Sequence, residues 1–175
     1  MIGVTSAGGF TIHPPWLQPP ANAERRIVID PGPAFGHGGH PTTAMVLDLL
    51  ATQELRGLTV GDIGCGTGVL GIAAARLGAE RVWAIDNDPA ARQMTQANAV
   101  ANGTPIDLVD AISACDLALV NVTIDVHEAL APSVQATRIL VSGILEDQVD
   151  RLEAAYGRTL TTRRARDSWI AGALD

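Results

Sequence analysis

The fold of this 175-residue chain is decided by residues 59–89, which read TVGDIGCGTGVLGIAAARLGAERVWAIDNDP. The run predicts a strand, a turn containing Gly64, Gly66 and Gly68, a helix and a second strand. Glycines let the backbone approach a ligand closely, and a helix N-terminus presents free N–H groups. The second strand ends at Asp86, whose carboxylate can accept two hydrogen bonds from a ribose diol. The run therefore predicts a site for a nucleoside-containing ligand.

Two binding templates fit the spacing of these residues. Gly66, Gly68 and Gly71 satisfy the dinucleotide pattern G-x-G-x-x-G, with an acidic residue 20 positions beyond Gly66. Asp62, followed by glycine at every second position through Gly68, satisfies D-x-G-x-G-x-G, the signature of S-adenosylmethionine-dependent methyltransferases. A carboxylate repels a pyrophosphate, whereas the α-ammonium of S-adenosylmethionine needs an anionic partner. Asp62 therefore favours S-adenosylmethionine; a dinucleotide, or a turn that binds nothing, remains the alternative.

Composition limits the partners and the chemistry. A net charge of −7 argues against a nucleic-acid partner, and no apolar run of 18 residues suggests a membrane span. All 12 basic residues are Arg, which excludes a lysine nucleophile or base. Cys65 and Cys115 make no disulfide framework, so we expect a cytoplasmic protein. His37 and His40 are too few ligands for a metal site, and we expect no metal. His40, which precedes Pro41, is expected to shape its loop by hydrogen bonding.

Apolar runs alternate with helical periodicity along most of the chain, which predicts an open, doubly wound, mostly parallel α/β sheet. The expected strands are 26–29, 59–63, 81–86, 106–109, 117–121 and 138–142, with a final antiparallel pair at 158–166 and 168–173. The expected helices are 42–52, 69–77, 89–102, 125–130 and 146–156, and the first of them is expected to be capped by Thr42 or Thr43. Residues 1–23 are proline-rich and predict an N-terminal extension, which leaves 24–175 as the domain. Ligands bind beyond strand C-termini in such sheets, where Gly64, Asp86 and Asn121 lie.

A second stretch carries a family resemblance. Residues 30–43, DPGPAFGHGGHPTT, resemble the D-P-G-x-A-F-G-T-G-x-H-P-T-T segment of the PrmA family. The similarity continues through residues 61–79 and 84–103, and resumes at 119–132 and 142–148. The family trimethylates lysine and N-terminal amines of a ribosomal stalk protein with S-adenosylmethionine. The resemblance implies a seven-stranded sheet of the class I methyltransferase type and an N-methyltransferase acting on a protein amine.

The resemblance also implies roles for single residues. Thr43, Gly64, Asp86 and Asn121 match cofactor-contacting positions of the family. Asn121 is also the candidate catalytic residue, because it ends a strand beside the expected methyl group and can accept a hydrogen bond from the incoming amine. Each position has a structural alternative: a helix cap at Thr43 or Asp86, and a turn residue at Asn121. Phe35 lies in the loop expected to fold over the site.

The sequence departs from the family in three places. His37 replaces a threonine, residues 120–123 read VNVT where the family has A-N-I-L, and the link between residues 102 and 117 is short. The family also carries an N-terminal recognition domain, for which the chain is expected to have no room. These departures keep two alternatives open: a methyltransferase for small-molecule amines or peptides, and an inactive cofactor-binding partner of another subunit. A separate recognition subunit is a possible partner.

Overall fold

The computed structural model describes residues 3–32 and 35–175, and within these ranges the chain forms ten strands and five α-helices. The strands are β1 Thr5–Ala7, β2 Phe10–His13, β3 Arg26–Val28, β4 Thr59–Ile63, β5 Arg81–Ile85, β6 Asp107–Leu108, β7 Cys115–Asn121, β8 Ala136–Leu145, β9 Leu160–Arg166 and β10 Trp169–Leu174. The helices are α1 Pro41–Leu50, α2 Val69–Arg76, α3 Pro89–Ala101, α4 Ile124–Leu130 and α5 Val149–Tyr156.

Seven strands form one sheet in the order β6-β5-β4-β7-β8-β10-β9. The first five are mutually parallel, and β10 runs antiparallel to both β8 and β9. The central strand β4 and the middle of β7 carry buried side chains, as expected for strands covered by helices on both faces. The predicted fold class is therefore confirmed: a doubly wound, mostly parallel seven-stranded sheet with a C-terminal antiparallel pair.

The N-terminal residues differ from the expected tail. Strands β1 and β2 form an antiparallel hairpin, and β3 joins β2 in parallel to complete a separate three-stranded sheet. Phe10 and Ile12 alternate inward along β2 and are buried in the same core as α1 and α2. The prolines led to the prediction of an irregular extension, and the alternation of apolar and polar residues over 10–13 was missed. A domain boundary at residue 24 remains a prediction, but residues 5–13 are a structured part of the core.

Two helix starts show how local sequence sets the elements. Proline stands at the first position of both α1 and α3, where a missing N–H costs nothing. The residue before each proline is the cap: His40 accepts the Thr42 N–H, and Asp88 accepts the Ala90 N–H at 2.9 Å. The expectation that Thr42 or Thr43 caps α1 was therefore wrong, because both lie inside the helix and are buried. The helix expected at 146–156 begins with a 3-10 turn at Glu146–Gln148.

No helix in the described ranges has both the length and the apolar character that crossing a membrane requires.

Candidate functional site

A cavity of about 880 Å³ opens where β4, β5 and β7 end, at the carboxyl edge of the sheet. Four of the predicted site residues line it: Gly64, Gly66, Asp86 and Asn121. They come from three different strand ends, which the parallel pairing of β4 with β5 and β7 brings together. Ligands of doubly wound sheets bind at this kind of edge, so the cavity is the candidate site.

Asp86 joins the end of β5 to the glycine turn. Its Oδ2 accepts the Gly66 N–H at 3.0 Å, and its Oδ1 accepts the Asp88 N–H at 3.0 Å. A carboxylate oxygen has two lone pairs, so both oxygens can accept a further hydrogen bond. Asp88 rather than Asp86 caps α3, which removes the helix-cap explanation for Asp86. The carboxylate is therefore held in place at the cavity wall, and both of its oxygens can still accept a hydrogen bond from a ligand.

Gly66 shows why the turn excludes side chains. Its φ is +55°, and a Cβ built there would lie 2.3 Å from the Phe35 carbonyl oxygen. A Cβ therefore cannot fit without moving the loop that covers the turn. The close approach of these two segments is part of how the cavity wall is built.

Thr43 and Asn121 meet beside the cavity. The Asn121 side chain donates its Nδ2–H to Thr43 Oγ1 at 3.3 Å. Thr43 is buried in α1 and does not line the cavity, whereas Asn121 does. The structure therefore brings the two residues together, with Thr43 behind the carboxamide of Asn121.

Asp62 lies beneath the glycine turn and Gly68 ends it, and neither residue lines the cavity. Asp62 Oδ2 accepts the Gly71 N–H at 2.9 Å, and the residue is 1% exposed. Burial, and to a smaller extent the charge of Asp86, raises the pKa of Asp62 to about 7 against the opposing effect of the Gly71 bond. Gly68 is the N-cap residue of α2 in a left-handed conformation, with a φ of +80°. Their roles toward a cofactor remain predictions.

Three aromatic rings form one wall of the cavity. The ring of His40 lies 5.1 Å from that of Phe35 and 5.5 Å from that of Trp169, both in edge-on geometry. All three residues line the cavity. Partial burial and the nearby His37 lower the pKa of His40, which favours the neutral imidazole. The wall is therefore largely apolar, and it joins the loop before α1 to the start of β10.

The loop that carries Phe35 is fastened to the glycine turn by Thr67. The Thr67 N–H donates to the Phe35 carbonyl at 2.9 Å, and its Oγ1–H donates to the Gly36 carbonyl at 2.6 Å. Thr95 of α3 supports the turn from below, since its hydroxyl donates to the Gly66 carbonyl at 3.0 Å. These contacts hold the aromatic wall at a fixed distance from the turn.

A buried histidine lies behind the segment that follows Asn121. The ring of His127 is fully buried, with Nε2 3.0 Å from the Ser142 carbonyl and Nδ1 3.1 Å from the Tyr156 hydroxyl. A carbonyl only accepts, so Nε2 carries the proton and Nδ1 accepts from the tyrosine. Burial lowers the pKa of His127 to about 4, against the opposing effect of the Ser142 bond, so the ring is neutral. This network ties α4 to β8 and α5.

Across residues 3–32 and 35–175, no group of three or more His, Cys, Asp or Glu side chains is arranged to hold a metal ion.

Solved structures of methyltransferases share this architecture. A ribosomal protein L11 methylase from Lactobacillus delbrueckii subsp. bulgaricus matches with a TM-score of 0.84 and 28% identity, covering 99% of this chain and 98% of that one. A 16S rRNA N2 G1207 methyltransferase of T. thermophilus, solved with AdoMet and guanosine, has a TM-score of 0.64 and 18% identity; 81% of this chain and 45% of that one are covered, and the likeness concerns the fold. The fold and the cavity define a class I methyltransferase-type domain.

The family follows from the sequence comparison. Residues 4–173 match the model of the family described as Ribosomal protein L11 methyltransferase (PrmA), and the chain belongs to this family. A relative of that name in Parasynechococcus marenigrum (strain WH8102) is 43% identical over 169 residues, which cover 85% of this chain and 58% of the relative. Another in Teredinibacter turnerae is 39% identical, covering 93% of this chain and 59% of the relative. The chain thus spans less than two thirds of the length of these relatives.

Sequence reasoning missed the residues that hold the site together. Thr95 and Thr67 had no motif to mark them, because each acts through a hydroxyl bond to backbone that is distant in sequence. The only signal in the sequence is a hydroxyl residue at a position that is expected to be buried, Thr67 in the glycine turn and Thr95 in α3. His127 lies within a segment that carried the family resemblance, but no pattern predicted that it would be buried.

Proposed function

We propose that this chain transfers a methyl group from S-adenosylmethionine to an amine of a protein. One observation carries the proposal: Gly64, Gly66, Asp86 and Asn121 line a single cavity at the carboxyl edge of the sheet. Membership of a family described as ribosomal protein L11 methyltransferases supports the same conclusion.

The donor groups in the cavity fit this cofactor. Asp86 offers spare lone pairs to a ribose diol, at a position fixed by its bonds to Gly66 and Asp88. The apolar side chains around it, which include Ile85, Ala91 and Ile112, suit an adenine ring. Asp62 lies one layer deeper, and once ionised it would supply the negative charge that an ammonium group needs, directly or through water.

The bound cofactor would supply an activated methyl group on a sulfonium, which is already a good leaving group. The protein then acts mainly by positioning, with the acceptor nitrogen held about 3–3.5 Å from the methyl carbon. An amine reacts only when it is neutral, and the apolar surface of Phe35 and Trp169 would favour that form by reducing the contact of the amine with water. Asn121 can accept a hydrogen bond from the amine and direct its lone pair.

The acceptor proposed is ribosomal protein L11, after the name carried by the relatives of this chain. The test incubates this chain with L11 and S-adenosylmethionine carrying a labelled methyl group, and maps the label by mass spectrometry. We expect label on amine nitrogens of L11, and a loss of at least tenfold in rate for Asp86→Ala, because two charge-assisted hydrogen bonds to the ribose are lost.

Two outcomes would assign the chain differently. Label on a panel of free peptides and small amines, with none on L11, would establish the small-acceptor alternative. Tight binding of S-adenosylhomocysteine without label on any acceptor would indicate a cofactor-binding subunit that needs a partner. A matched control is Asp107→Ala, which removes an exposed ion pair with Arg81 away from the cavity and should leave the rate unchanged.

A further inference from the structure

Asn98 of α3 connects three segments through one side chain. Its Oδ1 accepts the Asp30 N–H at 2.9 Å, and its Nδ2 donates to the Asp30 carbonyl at 3.0 Å and to the Thr67 carbonyl at 2.9 Å. Both amide protons are used, and the side chain is 2% exposed. The orientation of the amide is fixed, because a flipped amide would set its NH₂ against the Asp30 N–H.

The two segments that Asn98 joins are both parts of the cavity wall. Asp30 begins the loop that leads to Phe35 and His40, and Thr67 belongs to the glycine turn. Thr67 makes the reciprocal connection, because its own hydroxyl and N–H hold the loop at Gly36 and Phe35. The loop and the turn are therefore fastened at two points, one on each side of Thr67.

Asn102, one turn further along α3, makes a similar contact without reaching the cavity. Its Oδ1 accepts the Val28 N–H at 2.9 Å, and its Nδ2 donates to the Val28 carbonyl at 2.7 Å. The second proton of its amide goes to the Asn98 carbonyl within the helix rather than to the glycine turn. Asn102 thus reproduces the structural part of the Asn98 contact and lacks the connection to the site.

We propose that Asn98 is a positioning residue for the cofactor: by holding Asp30 against Thr67, it sets the distance between the aromatic wall and the glycine turn. The inference rests on the proposed function for the identity of the ligand, and it concerns a residue that touches neither ligand nor cavity. A residue that only stabilised α3 against β3 would act as Asn102 does. Comparing substitutions at Asn98 and Asn102 therefore separates an effect on cofactor positioning from an effect on stability.

The test compares Asn98→Asp with Asn102→Asp. Each change keeps the acceptor for one N–H and removes the amide donors. We expect both variants to lower the unfolding temperature, Asn98→Asp by more because Asn98 is buried and Asn102 only partly so. For Asn98→Asp alone, we expect the Kd of S-adenosylhomocysteine, measured by calorimetry well below the unfolding temperature, to rise about tenfold, which is the effect of 1.4 kcal/mol. Asn102→Asp should stay within about twofold of the unaltered chain.

Hydrogen exchange gives a second measurement that needs no ligand. We expect faster exchange of the amides in residues 35–40 and 64–68 for Asn98→Asp, with no change there for Asn102→Asp. Thr67→Val removes the hydroxyl that holds the loop at Gly36, and it should produce the same exchange pattern. This variant replaces Asn98→Asp in the test if Asn98→Asp does not fold. Equal effects of the two asparagine changes on affinity and on exchange would overturn the inference. Failure of the unaltered chain to bind S-adenosylhomocysteine would count against the proposed function, and the exchange data would still decide the role of Asn98.

Discussion

Asn121 and Thr43 lie 78 positions apart and are joined by one hydrogen bond, from the Asn121 amide to the Thr43 hydroxyl at 3.3 Å. Asn121 ends the central strand β7 and lines the cavity, while Thr43 is buried in the first turn of α1. The bond sets the orientation of a carboxamide at the cavity wall. It also links the proposed amine-accepting group to the helix that follows the aromatic loop.

A double-mutant cycle measures this link. Thr43→Val keeps the shape of the side chain and removes the acceptor, so we expect methyl transfer to slow by roughly fivefold because Asn121 loses its fixed orientation. Asn121→Ala should slow transfer more. Since both changes break the same interaction, their effects should fall short of additive by about 0.5–1.5 kcal/mol. Fully additive effects in initial-rate measurements would mean that the bond does not orient the amide.

Asp86 and Asp88 form a matched pair for cofactor binding. Asp86→Ala removes the carboxylate proposed to hold the ribose, and we expect the affinity for S-adenosylhomocysteine to fall at least tenfold. Asp88→Ala removes the cap of α3, which should cost about 1 kcal/mol of unfolding free energy. Asp88 also lines the cavity, so we expect its loss of affinity to be smaller than that of Asp86→Ala rather than absent. Calorimetry and urea unfolding on both variants check this. If Asp86→Ala folds and keeps its affinity for S-adenosylhomocysteine, the role of Asp86 is only to hold the glycine turn.

Two buried groups give opposite pH dependences of stability in the ligand-free chain. The folded pKa of Asp62, about 7, lies above its ordinary value of 3.8, so the folded state holds the extra proton between these values and stability falls as pH rises. The folded pKa of His127, about 4, lies below its ordinary 6.5, so the unfolded state holds the extra proton and stability rises with pH. Between about pH 4 and 6.5 the two contributions should nearly cancel.

Single substitutions should expose each contribution. In Asp62→Asn, His127 acts alone, and the free energy of unfolding should increase by about 1.4 kcal/mol per pH unit between pH 4.5 and 6 relative to the unaltered chain. His127→Gln should show the opposite slope. Urea unfolding at several pH values measures both. Parallel pH profiles for the two variants would show that neither group titrates as its burial requires.

Binding of a cofactor ammonium near Asp62 should change the protonation of that residue. The carboxyl is mostly protonated at pH 6, because its pKa is about 7. A nearby positive charge would favour the ionised form, so on the order of one proton should be released per S-adenosylhomocysteine bound at pH 6. Calorimetry in buffers of different ionisation enthalpy measures the release. Asp62→Asn should release none, and no release from the unaltered chain would remove Asp62 from the cofactor site.

The sequence predicts the main sheet and the ligand-facing edge well, for a physical reason. Residues 59–89 carry a local pattern in which each glycine and the acidic strand end have a separate steric or electrostatic role. The alternation of buried strands and helices then fixes the parallel pairing that brings Asp86 and Asn121 to one edge. The family resemblance is confirmed by the match over residues 4–173.

The rest depended on long-range contacts that carry no local signal. Asn98 resembles any polar residue on a helix, and only the contact of α3 with the loop after β3 and with the glycine turn shows that both its amide protons are used. His40 was expected to shape a loop by hydrogen bonding, and the structure makes it the cap of α1. The strand β2 was missed because four alternating residues just before two prolines give a weak pattern.

The N-terminal hairpin has a consequence for how far the chain can be shortened. The Gly8 N–H donates to Asp48 of α1 at 2.7 Å, and a Cβ at Gly8 would lie 2.3 Å from the Leu47 carbonyl oxygen, so the hairpin lies directly against that helix. Deleting residues 1–23 would open the outer side of α1 to solvent. The same helix carries Thr43, so a trimmed protein would lose ligand affinity although every residue lining the cavity remained present.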